Sequence, residues 1–325
     1  LTSVIYLFAG HTVSSAFVLL GLPVAPAVCG LADFRVVIED AGDSLAAETT
    51  WQHRWRDPFG NISLSFARCG DSLVLHFPDA AKVTASPDGT VAVSRAPRAS
   101  DETLCHVLLD QVLPRLLAHR GHLVVHAAAV VDDDRHGIAI IGDSGRGKST
   151  LSAALAASGC RLLSDDCLLL ELDERAVHAI PSYPGLRLLP DSLTALYGET
   201  PPDTSPVAHY TDKRRLARTD NRKPQPSTVT AMLLLQPPVD SAEIRIDPLS
   251  PQQACIELVR NAFQLDLGDM QRASKLLAQA AEITRRVPVF SIAYPRHYAA
   301  LPNVTEQIRT LISTIAARPP DPDRM

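Results

Sequence analysis

Residues 142–149 read Gly142-Asp143-Ser144-Gly145-Arg146-Gly147-Lys148-Ser149, a complete G-x-x-x-x-G-K-[ST] pattern followed by Thr150. An apolar run, Gly137–Ile141, precedes it with the character of a strand, and an Ala/Leu-rich run, 150–157, follows it with the period of a helix. Gly142, Gly145 and Gly147 can take backbone angles that a Cβ forbids, so successive N–H groups can turn inward around an anion at a helix N-terminus. In this order Lys148 is placed to reach β- and γ-phosphates and the Ser149 hydroxyl to ligate Mg²⁺. The stretch 142–150, with Asp143, Ser144, Arg146 and Thr150 included, is therefore expected to hold a nucleotide. A glycine-rich turn that binds nothing is the plain alternative, and the complete motif between strand and helix argues against it.

A site of this kind needs a carboxylate for the metal, usually at the end of a neighbouring strand. Asp165 and Asp166 follow the strand-like run 161–163, 17 and 18 residues after Lys148. Adjacent carboxylates beside a triphosphate repel each other unless Mg²⁺ or a proton intervenes. That predicts divided labour: Asp165 on the metal or its waters and Asp166 accepting a proton from a hydroxyl nucleophile, or the reverse. An Asx turn at a strand end is the structural alternative. His126, 16 residues before Gly142, lies in an Ala-rich strand and by itself reads as a core histidine rather than a catalytic one. Lys213, Arg214, Arg215, Arg218, Arg222 and Lys223 concentrate cations in a chain of net charge −5, as a solvated loop or as a flap over phosphates. Arg187, in the turn 184–187, is a candidate phosphate or substrate contact.

The 325 residues, 46% apolar, suit two lobes. We expect an N-terminal β-rich lobe with a closing helix over 1–120, an α/β nucleotide-binding lobe over 121–318, and a frayed tail at 319–325. The net charge gives no global attraction to nucleic acid or to anionic membrane, and neither is expected as a partner. The six cysteines show no C-x-x-C spacing and read as small buried hydrophobes in a reducing, cytoplasmic compartment. The apolar first thirty residues are interrupted by His11, Thr12, Ser14, Ser15, Pro23 and Pro26, and no Lys or Arg precedes them, so a buried strand is expected in place of a membrane span or signal peptide. Residues 34–93 alternate like a β-meander, and 101–119 carry a helical stripe that Pro114 kinks or splits. One strand is expected over 123–131, a solvated hairpin tip at Asp132-Asp133-Asp134, and a mobile loop over 199–228. A strand at 231–235, helices at 251–262 and 269–287, a strand at 289–293 and a helix at 304–315 close the second lobe.

The order His126, G-D-S-G-R-G-K-S at 142–149 and L-S-D-D at 163–166 resembles the catalytic domain of bacterial HPr kinase/phosphorylase, whose pattern is a His, a G-D-S-G-x-G-K-S loop and an A-D-D segment at nearly this spacing. The likeness covers 122–175. It implies an α/β fold with a P-loop kinase core of the HPr kinase/phosphoenolpyruvate carboxykinase-like type, rather than the Ras or RecA type. It also implies a kinase that uses ATP and Mg²⁺ to phosphorylate a serine hydroxyl, with Asp166 as proton acceptor and His126 and Lys148 near the transferred phosphate. The wider layout, V-H-A-A-A-V, S-D-D, P-G-L-R, D-K-R and Y-P-R at 294–296, resembles HPr-kinase-like proteins of natural-product clusters, including kinases that phosphorylate the C-terminal serine of lasso-peptide precursors. The implied partner is a peptide or protein bearing a serine, or a small hydroxyl compound, with a homo-oligomer allowed. Where bifunctional HPr kinases carry an L-E-I-R-G-L-G-like segment, residues 183–188 keep an Arg and offer no Glu. Asn221-Arg222-Lys223-Pro224 lacks the Asp of a guanine-reading N-K-x-D, which disfavours a GTPase. A non-catalytic ATP-binding regulator is the remaining alternative.

Overall fold

The computed structural model describes residues 3–26, 30–39, 49–57, 59–132, 136–183, 185–199, 202–217, 225–239 and 243–317. The alternating segments of the first hundred residues form one eight-stranded sheet. Strands β4 (His53–Arg56), β5 (Ile62–Cys69), β6 (Ser72–Phe77), β7 (Ala81–Ala85) and β8 (Thr90–Arg95) run as the expected meander, each antiparallel to the next. Strand β3 (Phe34–Glu39) departs from it, lying parallel to β8 and to β2 (His11–Ser15), which pairs with β1 (Val4–Phe8). The N-terminal segment is thus a hairpin and not one buried strand. Its turn needs positive φ at Ala9 and Gly10, and the Thr12 hydroxyl, 2.7 Å from Asp33 Oδ2, fixes where the second strand starts.

Helices α1 (Asp101–Val107) and α2 (Leu113–His119) cover this sheet, and a π turn, Leu108–Val112, joins them. The Ser100 hydroxyl caps α1 by accepting from Thr103 N–H. Pro114 has no N–H to give the carbonyl four residues back, and the wider turn just before it absorbs that loss. The extra residue in the turn also re-phases the helix, leaving Asp110 only 2% exposed on its buried side.

The second sheet has nine strands. The expected strand over 123–131 breaks at His126: β9 (Leu123–Val125) pairs with β13 (Leu168–Leu172), and β10 (Ala127–Val131) pairs with β11 (Gly137–Ile141) and β12 (Arg161–Ser164). Strand β18 (Ser227–Leu235) lies parallel to β11 and β20 (Val289–Ala293) and antiparallel to β14 (Val177–Pro181), while β19 (Arg245–Pro248) pairs with β20. Unbroken apolar runs suit strands covered on both faces. Helices α3 (Lys148–Ala157) and α7 (Leu301–Ala316) pack on one face through Leu151, Leu155, Val304 and Ile308. Helices α5 (Pro251–Arg260) and α6 (Met270–Arg286) pack on the other through Leu258 and Ile283.

A third sheet corrects the expected mobile loop. Strands β15 (Gly185–Leu188), β16 (Thr204–Ala208) and β17 (Thr211–Ala217) pair in the order β15-β17-β16, with α4 (Pro190–Tyr197) between β15 and β16 in the chain. Their alternation is hidden from a hydrophobicity reading because two buried positions are arginines, Arg187 and Arg215. Cys29, Asp133, Asp134, Pro184, Arg218, Arg222, Lys223 and the 319–325 tail lie outside the described residues. Among the described residues Cys105, Cys160, Cys167 and Cys255 are buried and Cys69 is exposed. No described helix is long and apolar enough to cross a membrane.

Candidate active site

The glycine-rich loop leaves β11 at Gly142, where φ is +144° and a Cβ would come within 3.1 Å of the Leu235 carbonyl oxygen of β18. Gly145 and Gly147 also hold positive φ, and Gly147 caps α3 without any side-chain hydrogen bond to the helix. The first N–H groups of α3 are therefore open to an anion. Arg296, beyond β20, donates to the carbonyls of Gly145, at 2.7 Å, and Arg146, and so fixes the loop. Lys148 curls back to donate to the carbonyls of Gly142 at 2.6 Å and Asp143 at 3.1 Å. Burial lowers its ammonium to about 8, against the opposing pull of Asp166 and Asp165.

Between β12 and β13 the chain makes a three-residue turn: Cys167 N–H donates to Asp165 O at 2.9 Å, and Asp166 takes φ +65°. Positive φ at a non-glycine residue is strained, by roughly 1–3 kcal/mol. The turn gives the two adjacent carboxylates different surroundings. Asp165 is fully buried, and its Oδ2 accepts from the Arg187 N–H at 2.9 Å. The nearby Ser149 hydroxyl favours its charged form, while Oδ1 is buried with no hydrogen-bond partner. Burial, and then the Asp166 charge, push Asp165 up to about 7.

Asp166 instead lines a cleft of about 330 Å³ together with His126, Lys148, Ser149, Thr150 and Lys213. Arg187 Nη1 lies 3.3 Å from its Oδ2. His126 Nδ1 lies 2.9 Å from the Asp166 carbonyl oxygen, which can only accept, so Nδ1 carries the proton and Nε2 faces Asp166 Oδ1 at 3.9 Å. Burial and the nearby Lys148 lower His126 to about 4, which makes it a neutral imidazole near pH 7. Burial would by itself raise Asp166. The facing His126, Arg187, Lys213 and Lys148 outweigh it and hold the carboxyl well below the usual range. Because His126 is neutral near pH 7, the cations that act there are Arg187, Lys213 and Lys148.

Arg187, a candidate phosphate or substrate contact, is among the residues that line this cleft. It is also a buried bridge: Nη2 donates to Asp110 Oδ1 at 2.8 Å, Nη1 meets Asp166, and the guanidinium lies 4.4 Å from the Tyr183 ring centre. Tyr183 donates its hydroxyl to the same Asp110 Oδ1 at 2.6 Å, and His106 Nδ1 pairs with Oδ2. Sequence reasoning missed Asp110, because nothing in its spacing signals the π turn that swings it inward.

Lys213 reaches the cleft and Arg214 does not. Arg214 donates from Nε to the Thr204 hydroxyl at 3.1 Å and from Nη2 to the Thr204 carbonyl at 3.0 Å, along the edge of the small sheet. Ser144, Gly145 and Gly147 line the cleft, and Gly142, Asp143, Arg146 and Asp165 are not among its lining residues. A polar wall went unread: the Tyr298 hydroxyl donates to Asp191 Oδ2 at 2.8 Å, and Ser192 Oγ lies 3.1 Å from Tyr298 and 3.2 Å from the Thr150 hydroxyl. The only sequence signal was Pro190-Asp191-Ser192, a helix start.

No family model matches the chain, and no curated protein matches it. Among solved structures it is similar to the Hpr(Ser) kinase/phosphatase from Coxiella burnetii, at 17% identity, over 60% of this chain and 99% of that one, with a TM-score of 0.30. A likeness this loose carries no function across. The functional reading rests on the side chains of the cleft.

Proposed function

We propose that the chain is a Mg-ATP-dependent kinase that transfers a phosphoryl group to a serine-type hydroxyl of a peptide or protein. The observation that carries this reading is the strained, ionised Asp166 in one cleft with the glycine-rich loop, Lys148 and Lys213. A loop that only held a nucleotide would need no such carboxylate. Mg-ATP supplies the phosphoryl group and a divalent charge beside it. The residues present fit it: the uncapped α3 terminus suits phosphate, and the Asp165 carboxylate near Ser149, its Oδ1 unpartnered, offers Mg²⁺ the hard oxygen donors it prefers. Among the described residues no group of three or more His, Cys, Asp or Glu could hold a metal, so Asp165 and Ser149 would be its main protein ligands.

In this reading Asp166 accepts the proton of the acceptor hydroxyl as its oxygen bonds to phosphorus and the bond to the leaving oxygen breaks. Asp165, raised to about 7, has the better basicity, but geometry ranks first for a general base, and Asp165 does not line the cleft. A loose phosphoryl-transfer transition state asks little of the base, so a weakly basic Asp166 suffices. Arg187 fixes the Asp166 carboxylate, and Lys213 adds positive charge where the transferred group is most negative.

The test is incubation with ATP, Mg²⁺ and serine-containing acceptor peptides, read by mass spectrometry for a gain of one phosphoryl group. Asp166→Asn should bind nucleotide as the wild type does and transfer nothing. Nucleotide binding without transfer in both proteins would make the chain a regulator, and transfer only to small hydroxyl compounds would remove the peptide from the reading.

A further inference from the structure

On the wall of the cleft, the hydroxyls of Thr150, Ser192 and Tyr298 and the Asp191 carboxylate form one hydrogen-bonded chain whose direction is fixed. The Tyr298 hydroxyl lies 2.8 Å from Asp191 Oδ2, and a carboxylate oxygen accepts, so Tyr298 spends its only proton there. Ser192 Oγ, 3.1 Å from Tyr298, must then donate to it, and the Thr150 hydroxyl, 3.2 Å from Ser192, donates in turn. Every hydroxyl proton of this wall is used within the protein. Asp191 Oδ1 accepts from the Ser192 N–H at 2.9 Å, so each carboxylate oxygen has one bond and keeps a further acceptor position. Among the described residues no cation pairs with Asp191, Lys213 of the same cleft included.

The side chains that line the cleft fall into two groups. Lys148, Arg187 and Lys213 surround Asp166. Tyr294, His297, Tyr298 and Leu301, around the start of α7, bring rings and apolar surface instead, and Arg296 among them is committed to the carbonyls of Gly145 and Arg146. The phosphates of a nucleotide belong with the cations of the first group. A carboxylate facing them would repel them, so Asp191, bonded to Tyr298 of the second group, suits an uncharged part of the ligand. That part must bring its own donors, because the wall has none left to give. A ribose does so, and its two adjacent hydroxyls match the two open acceptor positions of a carboxylate. We infer that Asp191 reads the ribose 2′- and 3′-hydroxyls of the bound nucleotide, with Tyr298 and Ser192 fixing its orientation, so that the site selects ribonucleotides. The inference rests on the nucleotide reading of the cleft and is independent of the acceptor. The competing account is structural: an acid in the first turn of α4 favours the helix dipole and ties α4 to Tyr298.

Titration calorimetry with ATP, 2′-deoxyATP, 3′-deoxyATP and inorganic tripolyphosphate, each with Mg²⁺, separates the two without any phosphoryl transfer. The wild type should bind ATP at least tenfold more tightly than either deoxynucleotide. Asp191→Ala should bind ATP no more tightly than the wild type binds the deoxy forms, and should bind tripolyphosphate as the wild type does. Tyr298→Phe removes the donor that orients Asp191 and should narrow the preference for ATP, which keeps the test decisive if the first variant fails to fold. Equal wild-type affinities for ATP and the deoxynucleotides would overturn the inference while leaving the nucleotide site standing, and so would an undiminished preference in either variant. Equal losses of ATP and tripolyphosphate binding in Asp191→Ala would make the residue a support of the loop, as the structural account has it. A wild type that binds none of the nucleotides would overturn the nucleotide reading itself and this inference with it.

Discussion

At the residue scale the functional question turns on one guanidinium that serves two carboxylates. Arg187 holds Asp110 with Nη2 and Asp166 with Nη1, all three buried, so the orientation of Asp166 depends on a helix residue 56 positions away in the chain. Removing one partner from a buried ion cluster leaves the others under-compensated, at a cost of about 3 kcal/mol. Asp110→Asn should therefore lower the melting temperature and reduce turnover at least tenfold, with nucleotide affinity almost unchanged; turnover equal to wild type in a folded variant would show that the bridge does not position Asp166. Arg187→Lys should fail similarly, because an ammonium cannot reproduce the forked donors. Lys148→Ala tests the proposed nucleotide side of the site. It should weaken ATP binding or turnover by orders of magnitude, read by calorimetry and by phosphoryl transfer, and an unchanged protein would remove the basis for a nucleotide site. The Asp pair and the loop were legible in the sequence because their chemistry depends on residue type at fixed spacing. Asp110 was not, because its role comes from a backbone irregularity that leaves no compositional mark.

At the element scale the small sheet decides which basic residues act. In an extended strand successive side chains point to opposite faces, so Lys213 and Arg214 cannot both serve one cleft. The sequence showed the concentration of cations and could not show this partition, since strand character there is masked by charge. Lys213→Met should lower turnover by about a hundredfold, equivalent to roughly 2.7 kcal/mol of transition-state stabilisation, and should change ATP affinity far less. Arg214→Met should leave turnover within about twofold of wild type and cost only its bonds to Thr204, on the order of 1 kcal/mol. Steady-state rates with both variants check the register directly, and equal losses would place both residues at the cleft. The same pairing predicts that limited proteolysis spares 204–217 without ligand. Cleavage there in the free protein, suppressed by ATP analogue and acceptor, would restore the flap that the charge density first suggested.

At the scale of the whole molecule the first sheet and the second, nine-stranded sheet share a core. Val124, Cys167, Leu169, Ile180 and Phe263 pack in the same apolar cluster as Leu104, Leu108 and Leu113 of the covering helix. Periodicity gave most strands and helices within a few residues, but pairing partners such as β3 with β8, or the break at His126, depend on contacts distant in sequence. A pH dependence of stability follows from two histidines held neutral. Burial, then the nearby Arg272 and Arg68 charges, lower His119 to about 4, and its Nδ1 is buried without a partner; burial first, and then Lys148, lower His126 to about 4 as well. In the unfolded chain both titrate near about 6.5. Between those values the unfolded state binds more protons, so stability is fully present above about pH 6.5 and is lost as pH falls through about 4. Asp166, held below the usual carboxylate range, adds a loss that begins only below its unfolded value of about 3.9. Asp165, raised to about 7, takes up a proton in the folded state over the same range and offsets one of the two histidines, so the melting temperature should fall between pH 6.5 and 4.5 by about one histidine's share, before ordinary carboxylates titrate. His119→Gln, which leaves the cleft untouched, should flatten part of that fall while preserving activity at pH 7.5. A wild-type melting temperature that stays level down to pH 4.5, together with an unchanged profile in His119→Gln, would mean that the fold does not hold these imidazoles neutral, and with that the neutral His126 facing Asp166 would be lost from the mechanism.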